Sequence, residues 1–299
     1  MTLMLIDSAS LWYRAYYGMP ELLAPDGRPV NAVRGFLDMT ARLVTKYRPD
    51  EIALCLDGDW RPSWRVELFP AYKENRLSED GEEEEPDLLT PQVPLILDLF
   101  DAIGFPILGI DDYEADDVIA TLATNSSAKV RIVTGDRDLF QLVDDERDVK
   151  VVYLAKGISN HDLVDRIWIT TKYGIPGDRY GLFAMIRGDA SDGLPGVRGI
   201  GEKGAALLAA QFSEMDELIA AAHREDARIP PALRRKILAD LDYAKVASKL
   251  TTCVTDLRLP ISDLATPRKP ADNAALAKLT SELGIETSVA RLKAALGWD

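Results

Sequence analysis

Thr2-Leu3-Met4-Leu5-Ile6-Asp7 is a short apolar run that ends in an aspartate. The same design recurs at Ile52-Ala53-Leu54-Cys55-Leu56-Asp57 and at Val130-Arg131-Ile132-Val133-Thr134-Gly135-Asp136. Continuous apolar runs of this length read as strands buried on both faces, as in a parallel sheet covered by helices. Between the first two, Val33, Phe36, Leu37, Thr40, Leu43, Val44 and Tyr47 recur at helical spacing. A helix over Pro91 to Ile103 and a strand over Phe105 to Ile110 continue the alternation. The fold class expected is α/β, with a doubly wound parallel sheet. Ligands of such sheets sit at the carboxyl ends of the strands, where three aspartates would gather.

After about residue 175 strand-like runs stop. Short helices separated by Gly and Pro take over, at 179–187, 202–212, 215–222, 231–239 and 242–252. The division expected is an α/β domain over 1–175, an all-α domain over 176–270 and a helical tail over 271–299 whose helix pair turns at Gly284.

More carboxylates join those of the strand ends. Asp111-Asp112-Tyr113-Glu114-Ala115-Asp116-Asp117 precedes a helix at Val118–Ala123, and five of its seven residues are acidic. The helix dipole favours an acid or two at an N-terminus, not five. An EF-hand reading fails for want of its glycine and closing glutamate. Gly135-Asp136-Arg137-Asp138 leads into a helix expected at Leu139–Val143, and Gly188-Asp189-Ala190-Ser191-Asp192-Gly193 forms a turn. Hard cations such as Mg²⁺ and Mn²⁺ take oxygen ligands from several loops. Carboxylates crowded without them repel. A pair of ions about 3.5–4 Å apart suits phosphodiester hydrolysis. No GxxxxGK[ST] loop supports a P-loop enzyme, and Asp7-Ser8-Ala9 lacks the second aspartate of haloacid-dehalogenase phosphatases.

Gly196-Val197-Arg198-Gly199-Ile200-Gly201-Glu202-Lys203-Gly204-Ala205 opens a helix. Glycines there permit positive φ and close approach. Free N–H groups at the helix start, with Arg198 and Lys203 beside them, would grip a phosphate backbone without reading bases.

The 299 residues carry a net charge of −14, which argues against a wholly basic nucleic-acid surface and leaves room for a local one. Two cysteines, Cys55 and Cys253, and two histidines, His161 and His223, offer no disulfide framework or zinc site, and a reducing cytoplasm fits. No signal peptide opens the chain, and no apolar run approaches the roughly 20 residues of a membrane span.

With these motifs in view, the chain resembles the bacterial 5′→3′ exonuclease/flap endonuclease family, which includes the 5′-nuclease domain of bacterial DNA polymerase I. The resemblance rests on Leu5-Ile6-Asp7-Ser8 with Tyr13-Arg14-Ala15-Tyr16, on the stretch from Trp64 to Arg76, on Tyr113 to Ile119, on TGDRDLFQLV, GDASDGLPG and GVRGIGEKGA. It implies a PIN-like catalytic domain, then a helix–three-turn–helix domain on duplex DNA, with K⁺ at the glycine hairpin. It implies a first divalent ion on Asp7, Asp57, Glu114 and Asp116, and a second on Asp136, Asp138, Asp189 and Asp192. Asp117 would neighbour both groups. Tyr72, Lys73 and Arg76 would form a clamp, within an arch over about 60–90, with an aromatic face for a base and cations for phosphates. Arg14, Gly196, Arg198, Gly199, Gly201 and Lys203 complete the expected DNA contacts. The acidic run from Glu79 to Glu85 departs from the family's basic or neutral arch and would repel a strand rather than guide it. The expectation is a monomeric, free-standing nuclease that acts on branched or 5′-flapped duplex DNA and on RNA–DNA primers, away from membranes. Two other readings stay open at this point: a branched-DNA-binding module without cleavage, and an RNA-cutting PIN-domain toxin.

Overall fold

The computed structural model describes residues 1–78, 81, 86–260 and 263–298. The acidic run 79–85 therefore lies outside the described residues, apart from Gly81. In chain order the elements are β1 (Thr2–Asp7), α1 (Ser8–Gly18), α2 (Asn31–Tyr47), β2 (Glu51–Cys55), α3 (Ser63–Leu68), α4 (Gln92–Ile103), β3 (Ile107–Leu108), α5 (Ala115–Asn125) and β4 (Lys129–Thr134). Then come β5 (Val149–Tyr153), β6 (Asp162–Val164), α6 (Arg166–Tyr173), α7 (Tyr180–Arg187), α8 (Glu202–Ala209) and α9 (Met215–His223). The last are α10 (Pro231–Ala239), α11 (Leu241–Thr251), α12 (Asn273–Leu283) and α13 (Glu286–Ala295).

One six-stranded sheet runs in the order β3-β2-β1-β4-β5-β6. All pairings are parallel except β5 with β6. Alternation along β1 explains why its apolar run is unbroken. Leu3 and Leu5 face one core, with α5, while Met4 and Ile6 face the other, with α1, α2 and α4. The carboxyl ends of β1, β2 and β4 share one edge, because Asp7 pairs with Cys55 in register and Ile6 with Val133.

The strands end earlier than expected. Asp57 and Asp136 lie two residues beyond β2 and β4, in loops that can aim their side chains. The strand expected at 105–110 pairs only at Ile107–Leu108, and the helix expected at 139–143 is a 3-10 turn over Asp138–Leu142.

The core of the helical domain continues that of one sheet face. Leu208, Phe212, Leu218 and Tyr243 belong to the same buried cluster as Leu3, Val130 and Ile132. From Val254 the chain runs back along the α/β domain: the Ile52 amide donates to Leu264 at 2.8 Å and the Thr266 amide to Asp50 at 2.9 Å. The helical layer thus closes before residue 270. The tail does not stand apart either. Leu276, Leu283, Val289 and Leu292 are buried with Phe36 and Phe100 in the second core, and Arg291 pairs with Asp38 at 2.8 Å.

Candidate active site

A cleft of about 1210 Å³ opens at the carboxyl edge of the sheet and is lined by Asp7, Asp57, Glu114, Asp116 and Asp136. Each acid is set by local backbone. Asp7 caps α1, its Oδ1 accepting from the Ser10 amide at 3.1 Å. Asp57 accepts from the Ala115 amide at 2.8 Å, on the first turn of α5. Its loop is held there because the Gly58 and Asp59 amides both donate to the Tyr113 carbonyl. Asp136 accepts the Asp138 amide at 2.8 Å, just ahead of the 3-10 turn.

Asp138, Asp189 and Asp192 are not among the residues that line the cleft. Asp189 forms a tight turn, accepting the Ser191 amide at 2.8 Å, and its Oδ2 lies 3.5 Å from Arg137 and 3.8 Å from Arg187. Asp192 pairs with Arg76 at 2.5 Å. Asp138 has a buried Oδ1 without a hydrogen-bond partner.

The electrostatics are those of crowded acids. Burial pushes the Asp7 carboxyl up to about 7, with Asp57 and Asp136 adding to the effect against the hydrogen bond from Thr134. Burial, reinforced by Asp136 in both cases, holds Asp116 and Asp138 well above the ordinary carboxylate range. Asp57 is raised mainly by burial, and Asp192 goes to about 6 from the same cause, partly offset by Lys73 and Arg76. Asp189 goes the other way: burial is outweighed by Ser191 and by the two guanidiniums, and its pKa falls.

Among the described residues no three His, Cys, Asp or Glu side chains converge as a ready-made metal cage. The donor set nevertheless fits hydrated hard cations, which take one or two carboxylates and keep several waters. The acids are all oxygen donors, neighbouring carboxylates add to the burial that raises Asp7, Asp116 and Asp138, and Asp138 presents a buried oxygen with no hydrogen-bond partner among the described residues.

Two of the nine expected acids, Glu114 and Asp117, are held by the one guanidinium of Arg65. Glu114 receives Arg65 at 2.9 Å, Lys73 at 2.6 Å and the Tyr72 hydroxyl at 2.9 Å. Asp117 is fully buried against Arg65, so it is an internal ion-pair partner and not an acid facing both groups. The clamp expectation changes too. Tyr72 is only 2% exposed, and its ring is packed with Leu194 and Leu250, so it offers no face to a base. Lys73 and Arg76 do face the cleft, but from positions on Glu114 and Asp192. Arg14 also lines it, with a buried Nε that has no partner.

The glycine hairpin precedes α8. Gly196 has φ +66°, and a Cβ there would meet the Arg187 carbonyl carbon at 2.5 Å, so a side chain is excluded from within. Gly201 has no such internal reason, because a Cβ there would stand in open space. The Gly199 carbonyl receives the Lys236 ammonium at 2.5 Å. Lys203 is exposed, and the Arg198 side chain is 82% exposed, only loosely paired with Asp240 at 3.9 Å. Residues 175–253 hold eleven basic and eleven acidic side chains, so the negative balance of the chain lies outside this layer.

Comparison with known proteins decides the family. The profile described as the 5′-3′ exonuclease N-terminal resolvase-like domain matches residues 2–174, and that of the 5′-3′ exonuclease C-terminal SAM fold matches residues 175–274. The chain belongs to the 5′-3′ exonuclease family. It is 48% identical to a 5′-3′ exonuclease of Streptomyces coelicolor over 97% of this chain and 98% of that one. A 5′-3′ exonuclease of Mycobacterium tuberculosis is 45% identical, over 98% and 97%. This exonuclease is therefore a 5′ nuclease like those relatives. A flap endonuclease of bacteriophage T5, solved as a pseudo-enzyme–product complex with DNA and metal ions, superposes with a TM-score of 0.68 over 99% of this chain and 98% of that one. At 16% identity that likeness shows the shared fold.

Arg65, Thr134, Ser10, Arg137 and Arg187 bind the expected acids and were not singled out from sequence.

Proposed function

We propose that the cleft hydrolyses DNA phosphodiesters near 5′ ends and 5′ flaps, with divalent ions held by its carboxylates. The observation that carries this reading is that Asp7, Asp57, Glu114, Asp116 and Asp136 line one cleft together with Lys73, Arg76 and Arg14. Divalent ions held there would supply an activated water and stabilise the leaving oxygen. The protein's own part is positional. Asp7, Asp57 and Asp136 are held by backbone amides or by a cap, and Lys73, Arg76 and Arg14 offer cationic groups to a strand in the cleft. Duplex DNA would lie on the hairpin, with Gly201 open to a phosphate and Lys203 and Arg198 beside it.

Finer parts of the proposal are Mg²⁺ or Mn²⁺ as the ions and RNA–DNA primers among the substrates. K⁺ at the hairpin would draw on its backbone carbonyls, of which that of Gly199 already holds an ammonium. A monomer in the cytoplasm completes the reading. Two buried free cysteines support the compartment, and no helix among the described residues is long and apolar enough to cross a membrane. The test is a 5′-labelled flap duplex incubated with the protein and Mg²⁺, Mn²⁺ or EDTA. Release of the short 5′ strand with metal and not with EDTA is expected. Binding without release under both metals would leave a branch-binding module instead.

A further inference from the structure

We infer that Arg65 is a positioning residue for the cleavage reaction, holding the first turn of α5 so that Asp116 faces the cleft. The inference rests on the carboxylate site proposed above.

Arg65 lies on α3 and is 2% exposed. Its Nη1 donates to Glu114 Oε2 and to Asp117 Oδ2, each at 2.9 Å, and its Nη2 donates to Asp117 Oδ1 at 2.9 Å. The Trp64 ring covers the guanidinium at 4.5 Å. Asp117 also accepts the Val254 amide at 2.8 Å, from the chain that has just left the helical layer. The helix α3 is fixed in turn, because Asp112 accepts the Ser63 amide at 2.6 Å and the Trp64 indole N–H at 3.1 Å.

Successive residues of a helix point about 100° apart. Glu114 caps α5, and Asp116 and Asp117 lie in its first turn. A fork that pulls Asp117 inward and grips Glu114 therefore sets the rotation of that turn. Asp116, between them, is left to the cleft.

Stability does not account for the arrangement. A buried ion cluster is often no better for folding than an apolar set of the same volume. Beside five cleft carboxylates, it supplies a defined geometry instead. Lysine cannot replace the fork, since an ammonium is a point donor and cannot bridge two carboxylates in a plane.

The experiment uses the whole chain with Arg65→Lys, which keeps the charge and loses the fork. Partners behind a metal ligand change affinity or activity by about 10–100-fold. We expect kcat on a 5′ flap to fall about tenfold or more, KM for the flap to stay within about threefold, and Mn²⁺ binding by calorimetry without DNA to weaken about tenfold. A merely structural arginine would lower the melting temperature and leave kcat and Mn²⁺ affinity of the folded protein as in wild type, and that outcome overturns the inference. Should Arg65→Lys not fold, Val254→Pro removes the amide donor on the other side of Asp117. It is expected to lower kcat several-fold at unchanged KM, and an unchanged kcat overturns the inference. Wild-type protein that releases no product with either metal would sink the nuclease reading alone, because the Mn²⁺ calorimetry still reads the hold of Arg65.

Discussion

The hydroxyl of Thr134 donates to Asp7 Oδ2 at 2.6 Å and accepts the Asp136 amide at 2.8 Å, so one side chain joins the acids at the ends of β1 and β4. Thr134 is fully buried, and its bond opposes the upward pressure of burial on Asp7. Thr134→Val should cost about 1 kcal/mol of stability. It should also lower kcat about tenfold, with the pH profile of cleavage displaced to higher pH as Asp7 loses the donor that favours its anion. A wild-type profile would show that Asp7 does not titrate in the reaction.

Asp116 is held up by burial first and then by Asp136 and Asp7 beside it, and both Asp116 and Asp136 line the cleft. Asp116→Asn or Asp136→Asn should abolish cleavage and leave flap binding close to wild type in a gel-shift assay with EDTA. Full cleavage by either variant would remove it from the reacting set.

Without metal, the folded protein should be more stable in mild acid than in mild base. The sign follows from the two carboxyls raised to about 7 and about 6, Asp7 and Asp192. A fold that raises a carboxyl's pKa favours its protonated form, so that stabilisation is complete below about pH 4 and is lost as pH rises through 6 and 7. Asp189, shifted downward, acts in the opposite sense only below about pH 4. Scanning calorimetry in EDTA should show a melting temperature several degrees higher at pH 5 than at pH 8. Millimolar Mg²⁺ should close that gap by binding the folded state. A metal-free melting temperature that rises between pH 5 and pH 8 would contradict the assignment.

Gly196 and Gly201 should behave differently when given a methyl group. Gly196→Ala puts a side chain at positive φ against backbone 2.5 Å away and should destabilise by more than about 1 kcal/mol. Gly201→Ala meets nothing inside the protein, so it should melt as wild type yet bind duplex DNA more weakly. Lys203→Ala should lower affinity irrespective of sequence and reduce the salt slope by about one. Equal DNA affinity in Gly201→Ala would mean the hairpin meets no backbone there.

The strand-end aspartates are legible in the sequence because a strand buried on both faces must be apolar throughout, so the first acid marks its exit. The hairpin is legible for a related reason, since glycines at short spacing ahead of a helix have few other uses. Thr134 and Arg65 are not, because a hydroxyl or guanidinium declares its partner only when distant segments meet: Thr134 binds an acid 127 positions away and Arg65 one 52 positions away. Tyr72 shows the opposite error. Its setting beside Lys73 and Arg76 reads as exposed, but packing against Leu194 and Leu250 encloses it.

The last two helices are part of the body that carries the cleft, not an appendage to it. Their side chains Leu276, Leu283, Val289 and Leu292 fill the core beneath α2, on the far side of the sheet from α5. All the candidate acids, from Asp7 to Asp192, thus precede in sequence the residues that cover this face of the sheet. Deleting the two helices would open the apolar surface of α2 and α4 to water, so damage far from the cleft would reach it through the sheet that carries Asp7.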